Sequence, residues 1–589
     1  MKPFYGFKSF WPVFLMGALV FFLMGYSKTH AGQPGEPEGY PIASDVFTTR
    51  QKTVVPDPTP SKTILLDEVS KYTQYGYGNW HYGKGIDDGK RTDIMPAGYA
   101  GASAARKARL LTFFTMTDIH ITDKESPSQL IYLQQLVYPS KGKAPWAFVT
   151  SIYSPIMPYT THVLDAAVQT VNALHKKSPF DFGISLGDTC NSTQYNELRW
   201  YIDVLDGKVI TPSSGAHAGT DTIDYQKPYH TAGLDKSIPW YQTMGNHDHF
   251  WIGSLPVNEF LRKSCVSDTV IAMGDVLADA RNISKPDYYM GILDGSTPYA
   301  DIKGAGPVGM FGSPPKVVAD PDRRSLSRTE WMKEFFATSS KPAGHGFSLT
   351  DAKNGFACYS FVPKSTVPIK VIVLDDTQRE DDGSPDIHGH GFLDRARYDW
   401  LKKELADGQA AGQLMIVAAH VPIGVEKAGS EVGWWTDPKN GVSEAGLVGE
   451  LQKYPNFLMW IAGHRHLNVV KAFPGAVPEN GFWQVETASL RDFPQEFRTF
   501  EIYLNTDNTI SIVTTDVDPA VREGTPAARS RSYAVATQQI INADIYVANP
   551  TGDPRVKPMP TGSYNAELLK KLNPGMIDRI KDLGAPVGK

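Results

Sequence analysis

This 589-residue chain has few cysteines, no net positive charge and no sequence repeats. Three cysteines are too few for a disulfide-stapled scaffold, and a net charge of -5 lacks the basic footprint of proteins that bind nucleic-acid polymers. No internal repeat or low-complexity tract is evident. With 41% hydrophobic and 21% charged residues, the chain can bury a large core, which indicates a globular protein of undetermined oligomeric state.

The three cysteines are Cys190, Cys265 and Cys358. This number allows one disulfide, and we expect Cys265 to pair with Cys358, which leaves Cys190 free. The sequence does not fix that pairing.

The N-terminus carries the signs of a targeting segment. Lys2 and Lys8 precede an apolar run over residues 10–26, and Thr29-His30-Ala31 offers small residues where a signal peptidase cuts. We therefore predict a signal peptide at residues 1–31, an exported protein that is periplasmic or secreted, and no stable membrane span after cleavage. The alternative is an uncleaved N-terminal membrane anchor, although the run is shorter than the roughly 20 residues that span a bilayer.

Polar motifs that can bind metal ions follow five apolar runs of the sequence. Each run is rich in aliphatic, aromatic and β-branched residues and predicts a β-strand. The runs lie at 111–117, 182–186, 240–244, 414–419 and 457–462. The motifs that follow them are Asp118-Ile119-His120, Gly187-Asp188, Gly245-Asn246-His247-Asp248, His420 and Gly463-His464-Arg465-His466. Ligand sites of open α/β sheets form at such strand ends, so the ordered set predicts one site.

The residue types and spacings of these motifs suit a metal centre. Asp118 and His120 are two residues apart, so a strand would direct both side chains to one side. Asp188 has two carboxylate oxygens and can bridge two ions. Mixed carboxylate, imidazole and amide donors suit manganese, iron or zinc, and the sequence does not choose among them. Two such ions can share a water, lower its pKa and direct the resulting hydroxide at phosphorus.

The five motifs together resemble those of the calcineurin-like metallophosphoesterases, and the resemblance covers about residues 111–517. It implies a four-layer α/β sandwich, in which two mixed β-sheets are flanked by helices. It also implies that Asp118, His120, Asp188 and His466 hold one metal ion. A second ion would be held by Asp188, Asn246, His420 and His464, with Asp188 shared between the two.

Several further residues are candidates for catalysis or substrate binding. The family pattern makes His247 the proton donor to the leaving group, with Asp248 orienting its imidazole; alternatively His247 bonds a ligand and Asp248 caps the next segment. Asn191 contacts substrate or Asp188, or is a turn residue. A phosphate dianion needs a cationic contact, for which the candidates are Arg323, Arg324 and Arg465.

Two histidine-containing loops look like metal sites but favour another interpretation. His388-Gly389-His390 and Gly344-His345-Gly346 have spacings that could suit a metal ion. Both lie in glycine-rich stretches, which favour loop structure over a third metal site.

The remaining chain divides into extensions and an insert. Residues 32–110 are rich in Gly, Pro and Tyr and indicate an irregular N-terminal arm, and residues 518–589 indicate a C-terminal tail packed on the domain. Residues 250–354 form an insert far longer than an ordinary connection, and we expect a cap with Trp251, Tyr288, Tyr289 and Trp331.

The sequence therefore predicts an exported two-metal enzyme that hydrolyses a small phosphorylated substrate, either a monoester or a diester. The alternative is a noncatalytic binding or cell-envelope protein that keeps the metal cage for structure. Structural metal sites do not need a proton donor, so an intact His247-Asp248 pair favours the enzyme.

Overall fold

A computed structural model describes residues 39–137, 150–276, 278–380, 389–424, 441–543 and 562–587. The predicted signal peptide at residues 1–31 lies outside these ranges. Within them, the helices are all too short or too polar to cross a bilayer.

The strands follow the apolar runs of the sequence and continue into both extensions. In chain order they are β1 Lys52–Pro56, β2 Trp80–Lys84, β3 Gly89–Arg91, β4 Arg106–Met116, β5 Phe182–Ser185, β6 Val209–Ile210, β7 Tyr229–His230, β8 Trp240–Gln242, β9 Phe250–Trp251, β10 Leu255–Pro256, β11 Ala272–Met273, β12 Tyr288–Leu293, β13 Ile302–Pro307, β14 Tyr359–Phe361, β15 Ile369–Val373, β16 Leu414–Ala418, β17 Phe457–Ala462, β18 Val469–Phe473, β19 Phe482–Glu486, β20 Phe497–Asn505, β21 Ile510–Val517, β22 Ala566–Lys570 and β23 Ala585–Pro586.

Two mixed sheets dominate the architecture. The larger has eight strands in the order β3-β22-β21-β20-β4-β5-β8, with β23 also paired to β4. Its strands β4, β5 and β8 run parallel, and the ring of Phe113 stacks between Phe182 and Phe500 at 4.7 Å from each. The smaller sheet has six strands in the order β14-β15-β16-β17-β19-β18, of which β15, β16, β17 and β19 are parallel.

The alternation of side chains along β16 shows how the smaller sheet is covered on both faces. Ile416 and its neighbours two residues away join a core that also contains Phe113 of the larger sheet. Met415 and Val417 join a second core with Leu401 and Leu447, which belong to two helices. Because successive strand residues point to opposite faces, one face of this sheet packs on the other sheet and one on helices.

Helices complete the outer layers. The α-helices span Tyr72–Tyr75, Ile131–Val137, Thr160–Lys177, Tyr195–Asp206, Glu259–Cys265, Arg328–Glu334, Leu349–Asn354, Arg395–Ala410, Glu444–Leu451, Pro526–Ala543 and Pro574–Ile580. Side chains of Thr160–Lys177 and Tyr195–Asp206 belong to the same core as β4 and β5. The expected fold class, α/β with two mixed sheets flanked by helices, is confirmed.

Both extensions contribute to the larger sheet. Strand β22 lies between β3 and β21, so residues from the two ends of the chain pair directly with each other. The predicted arm is therefore not wholly irregular, because it contains β1, β2, β3 and the start of β4. Strand pairing between distant segments is a tertiary event that local composition does not reveal.

The insert contains a three-stranded sheet, β11-β12-β13, and several short helices. Trp251 and Trp331 are fully buried, each in a hydrophobic core, so these two rings stabilise the insert and do not line a pocket. Gly253 brings the insert against the ring of His247, since a Cβ on this glycine would lie 2.2 Å from His247 Nε2.

The expected disulfide is wrong. All three cysteines are free and buried. The Cys265 thiol lies 3.0 Å from Ser128 Oγ and 3.3 Å from Ser325 Oγ, whereas the Cys358 thiol accepts the backbone N–H of Asp375. Each thiol has its own polar neighbours in a separate part of the core.

Candidate metal centre

The five polar motifs all lie at the carboxyl ends of parallel strands. Strands β4, β5 and β8 of the larger sheet lead into the first three motifs, and β16 and β17 of the smaller sheet lead into the last two. The two sheets meet here, because His420 Nδ1 lies 2.8 Å from the carbonyl of Leu186 and the N–H of His464 donates to Asp118. Segments separated by more than 300 residues in sequence therefore form one cluster.

One group of ligand atoms comes from Asp118, His120 and His466, which lie within 4.8 Å of one another. Nε2 of His466 is 3.3 Å from Asp118 Oδ1 and 3.2 Å from His120 Nε2. His120 Nε2 is also 3.7 Å from Oδ2 of Asp188.

A second group comes from Asp188, His420 and His464. Nε2 of His420 is 3.2 Å from Asp188 Oδ2, 3.0 Å from Asn246 Oδ1 and 3.3 Å from His464 Nδ1. The same oxygen, Oδ2 of Asp188, therefore faces both groups, and a third possible group joins His120, Asp188 and His247.

The backbone of this cluster is strained at five of the seven predicted ligands. These residues have positive φ angles, which are 51° at Asp118, 47° at His120, 54° at Asp188, 71° at His464 and 57° at His466. Such conformations cost on the order of 1–3 kcal/mol each and concentrate at functional sites. Asp118 and His120 meet through this loop conformation and not through strand alternation, because β4 ends before them at Met116.

The polar atoms of the cluster fit metal cations. Oδ1 of Asp118 and Nδ1 of His120 are buried and form no hydrogen bond with any residue that the structure describes. Burial lowers the pKa of His420, but Asp188 and Asp118 outweigh it and raise that pKa to about 10; Asp118 and Asp492 likewise raise the pKa of His466 to about 10. The carboxylates thus draw positive charge into the site, as protons on imidazoles or as metal cations, and the oxygen and nitrogen donors suit first-row ions.

Asp248 has a different role from the one expected of it. Its carboxylate accepts the backbone N–H groups of Asp188, Thr189, Cys190 and Gly245 and the hydroxyl of Thr189, at 2.6–3.2 Å. The imidazole of His247 is held instead by the carbonyl of Asn191, 2.6 Å from Nδ1. Asp248 therefore fixes the turn that carries Asp188, and the Asn191 backbone orients His247.

The arginines expected to bind substrate are engaged elsewhere. The buried Arg323 pairs with Asp123 at 3.0 Å. Arg465 Nε donates to the Glu486 carboxylate at 2.8 Å. Arg324 lies over the ring of Tyr195, 3.5 Å from its centre. A guanidinium in a buried ion pair is not free to bind a phosphate, which corrects the expectation for Arg323 and Arg465.

The remaining histidine motifs contribute no metal ligand to the groups found in the described ranges. His345 stacks on Trp240 at 3.4 Å and its Nδ1 is 3.0 Å from the carbonyl of the same residue, so it is a core residue. His390 is buried in a loop, and His388 lies outside the described residues. Neither residue belongs to a group of metal-ligating side chains found in the described ranges.

Sequence reasoning missed a sixth polar segment at this edge of the sheets. Ser489-Leu490-Arg491-Asp492 follows β19, the next parallel strand of the smaller sheet after β17. Its side chains contact Asp118, Asn191 and His466. The signal was weaker than at the other motifs, because Gln484 and Glu486 interrupt the apolar residues of β19 and two residues separate the strand from Ser489.

The fold and the cluster define the class of this molecule: an α/β protein with His and Asp groups compatible with two metal ions. No protein-family model matches the chain, and no curated protein matches it. Among solved structures, a dimetal phosphatase from Danio rerio aligns with 70% of this chain and 100% of its own, at 11% identity and a TM-score of 0.35. Similarity at this level places the chain in no family, so fold and site geometry must support its function.

Proposed function

We propose that this protein hydrolyses phosphate esters at a dinuclear metal site. The observation that carries the proposal is the position of Asp188 Oδ2, which is 3.7 Å from His120 Nε2 in one group and 3.2 Å from His420 Nε2 in the other. A carboxylate shared between two adjacent groups of buried ligands suits two ions held side by side.

The ligands divide between the two cations. Asp118, His120, Asp188 and His466 would hold one cation, and Asp188, Asn246, His420 and His464 would hold the other. When bound, two divalent ions of manganese, iron or zinc activate a water and bind phosphoryl oxygens. The two carboxylates only partly neutralise such a pair, so the site keeps a positive charge that favours a phosphate ester over a neutral ester.

His247 supplies the proton for the leaving group in this proposal. Its Nδ1–H donates to the Asn191 carbonyl, which leaves Nε2 as the atom that carries the transferred proton. Burial lowers the pKa of His247, and the Asp188 carboxylate opposes that shift by favouring the imidazolium that a proton donor requires. Asp248 contributes indirectly, because it fixes the backbone of Asp188 and of Gly245, which precedes Asn246 and His247.

The substrate is a small phosphorylated molecule, and its ester type follows from contacts beyond the metal ligands. A monoester dianion carries one more charge than a diester and needs an added cation. Arg323 and Arg465 are buried in ion pairs with Asp123 and Glu486, whereas the exposed Arg324 pairs with Asp322 at 3.5 Å. The insert approaches His247 at Gly253, and this proximity supports a role of the insert in selecting the leaving group.

Hydrolysis of a matched pair of chromogenic substrates, a phosphomonoester and a phosphodiester, tests the proposal. The purified protein is assayed with manganese, iron or zinc, beside Asp188→Asn and a control, Asp206→Asn, which alters a buried carboxylate bonded to Ser339 and Ser340. Turnover that needs metal, is lost in Asp188→Asn and persists in Asp206→Asn supports the proposal. Two bound metal ions without turnover of either ester would favour the noncatalytic binding protein.

A further inference from the structure

The segment Ser489–Asp492 lies against the first motif, Asp118-Ile119-His120. Leu490 N–H donates to the carbonyl of Thr117 at 3.2 Å, and the hydroxyl of Ser489 donates to the carbonyl of Asp118 at 2.6 Å. The backbone N–H groups of Arg491 and Asp492 return to Ser489 Oγ at 2.8 and 3.2 Å. The segment is therefore a closed turn fixed on the backbone that carries Asp118.

Asp492 projects from this turn onto a predicted metal ligand. Its Oδ2 is 2.5 Å from Nδ1 of His466 and also accepts the hydroxyl of Thr150 at 2.7 Å. A carboxylate next to an imidazole accepts its N–H, so Nδ1 of His466 carries hydrogen and Nε2 presents a lone pair. That Nε2 is the atom 3.3 Å from Asp118 Oδ1 and 3.2 Å from His120 Nε2.

The other oriented imidazoles of the site have weaker partners. His420 Nδ1 faces the carbonyl of Leu186 and His247 Nδ1 faces that of Asn191, both neutral acceptors. Among those three, only His466 has a carboxylate as the partner of its Nδ1 atom. An anionic acceptor raises the basicity of a ligating imidazole more than a carbonyl does.

We propose that Asp492 is a positioning residue for metal binding, whose carboxylate fixes the tautomer and the orientation of His466. The inference rests on the proposed dinuclear function and deepens it, because it assigns a supporting carboxylate to the Asp118–His120–His466 group. Arg491 completes the segment by donating to Asn191 Oδ1 at 2.5 Å, so one turn supports both a metal ligand and the residue that holds His247.

The test measures metal affinity and needs no turnover. Equilibrium dialysis against Mn²⁺ alone, with metal analysis, is applied to the wild type, Asp492→Asn and Glu380→Gln. The last is a matched control, because Glu380 Oε1 faces Nδ1 of His249 at 3.2 Å and His249 is not a predicted ligand. We expect Asp492→Asn to weaken one of two manganese equivalents by about 10- to 100-fold and Glu380→Gln to leave both unchanged.

A double-mutant cycle separates positioning from general destabilisation. In a His466→Ala background, Asp492→Asn should cause no further loss of manganese affinity, since the residue acts through that imidazole. Wild-type affinity in Asp492→Asn, or a full additional loss in the His466→Ala background, would overturn the inference.

If Asp492→Asn does not fold by circular dichroism, a crystal structure of the manganese-loaded wild type decides the question. Ligation through His466 Nε2 with Nδ1 on Asp492 supports the inference, and ligation through Nδ1 overturns it. Manganese binding that responds to Asp492 without any ester hydrolysis would count against the proposed function alone. Hydrolysis with no response of manganese binding to Asp492→Asn would count against this inference alone.

Discussion

Replacing Asp248 by asparagine distinguishes a structural role for this carboxylate from a catalytic one. Oδ1 of Asp248 accepts from Thr189 N, Thr189 Oγ1 and Cys190 N, and Oδ2 accepts from Asp188 N and Gly245 N. An asparagine amide oxygen can serve one of these sets. Its NH₂ group then faces the other set, in which each member is itself a donor.

The smaller set contains two backbone N–H groups, so the best orientation of asparagine leaves two buried donors without an acceptor. Each unsatisfied buried donor costs about 1–3 kcal/mol, which gives roughly 2–6 kcal/mol for Asp248→Asn. This is a large fraction of the roughly 5–15 kcal/mol that stabilises a typical domain. Because the affected turn carries Asp188, metal affinity should fall together with stability.

Urea unfolding and manganese dialysis of Asp248→Asn measure both effects. Asp206→Asn is the matched control, since Asp206 also accepts backbone N–H groups, from Ser339 and Ser340, but lies outside the ligand groups. We expect both variants to lose stability and only Asp248→Asn to lose metal affinity. Unchanged stability and metal binding in Asp248→Asn, with activity lost, would refute the reasoning and assign Asp248 to the chemistry.

Three further predictions test other parts of the structure. Gly253→Ala should reduce turnover strongly, because the added Cβ meets the His247 ring. Gly219 is also at positive φ but has open space around it, so Gly219→Ala should lower stability by about 1–2 kcal/mol of backbone strain and leave turnover unchanged. Equal losses of turnover in the two variants would contradict this prediction. Denatured, unreduced protein should yield three reactive thiols with Ellman's reagent, and one thiol would indicate a disulfide. Burial lowers the pKa of His162 to about 3, so its neutral form stabilises the fold above pH 6.5 and this contribution is lost as pH falls. From pH 7 to 5 the loss is about 2 kcal/mol, and urea unfolding of His162→Phe should show a correspondingly smaller decrease.

Local sequence patterns located the strands beside the site. The run at 457–462 is a strand with those same bounds, and the run at 182–186 corresponds to Phe182–Ser185. Such runs are recognisable because a strand buried on both faces needs apolar side chains at every position. The expected insert is more deeply packed than a cap requires, since Trp331 belongs to the main core.

The contacts that support or neutralise the site residues were not predictable from the sequence, because they join residues that only folding brings together. Asp492 accepts from a histidine 26 residues away, and Arg491 donates to an asparagine 300 residues away. Arg323 looked free in the sequence because its partner, Asp123, is 200 residues distant. Charged residues cannot be assigned to substrate or to structure until such partners are known.

The sequence by itself determined the order of the polar motifs and the strands that precede them, because hydrophobic periodicity and strand-end chemistry are local properties. Only the tertiary structure decided that three motifs belong to one sheet and two to the other, and that a sixth segment supports them. It also decided that Asp248 bonds backbone and not the His247 ring. These outcomes depend on non-local pairing and burial, where a polar group takes whichever partner the packed fold places within hydrogen-bonding distance.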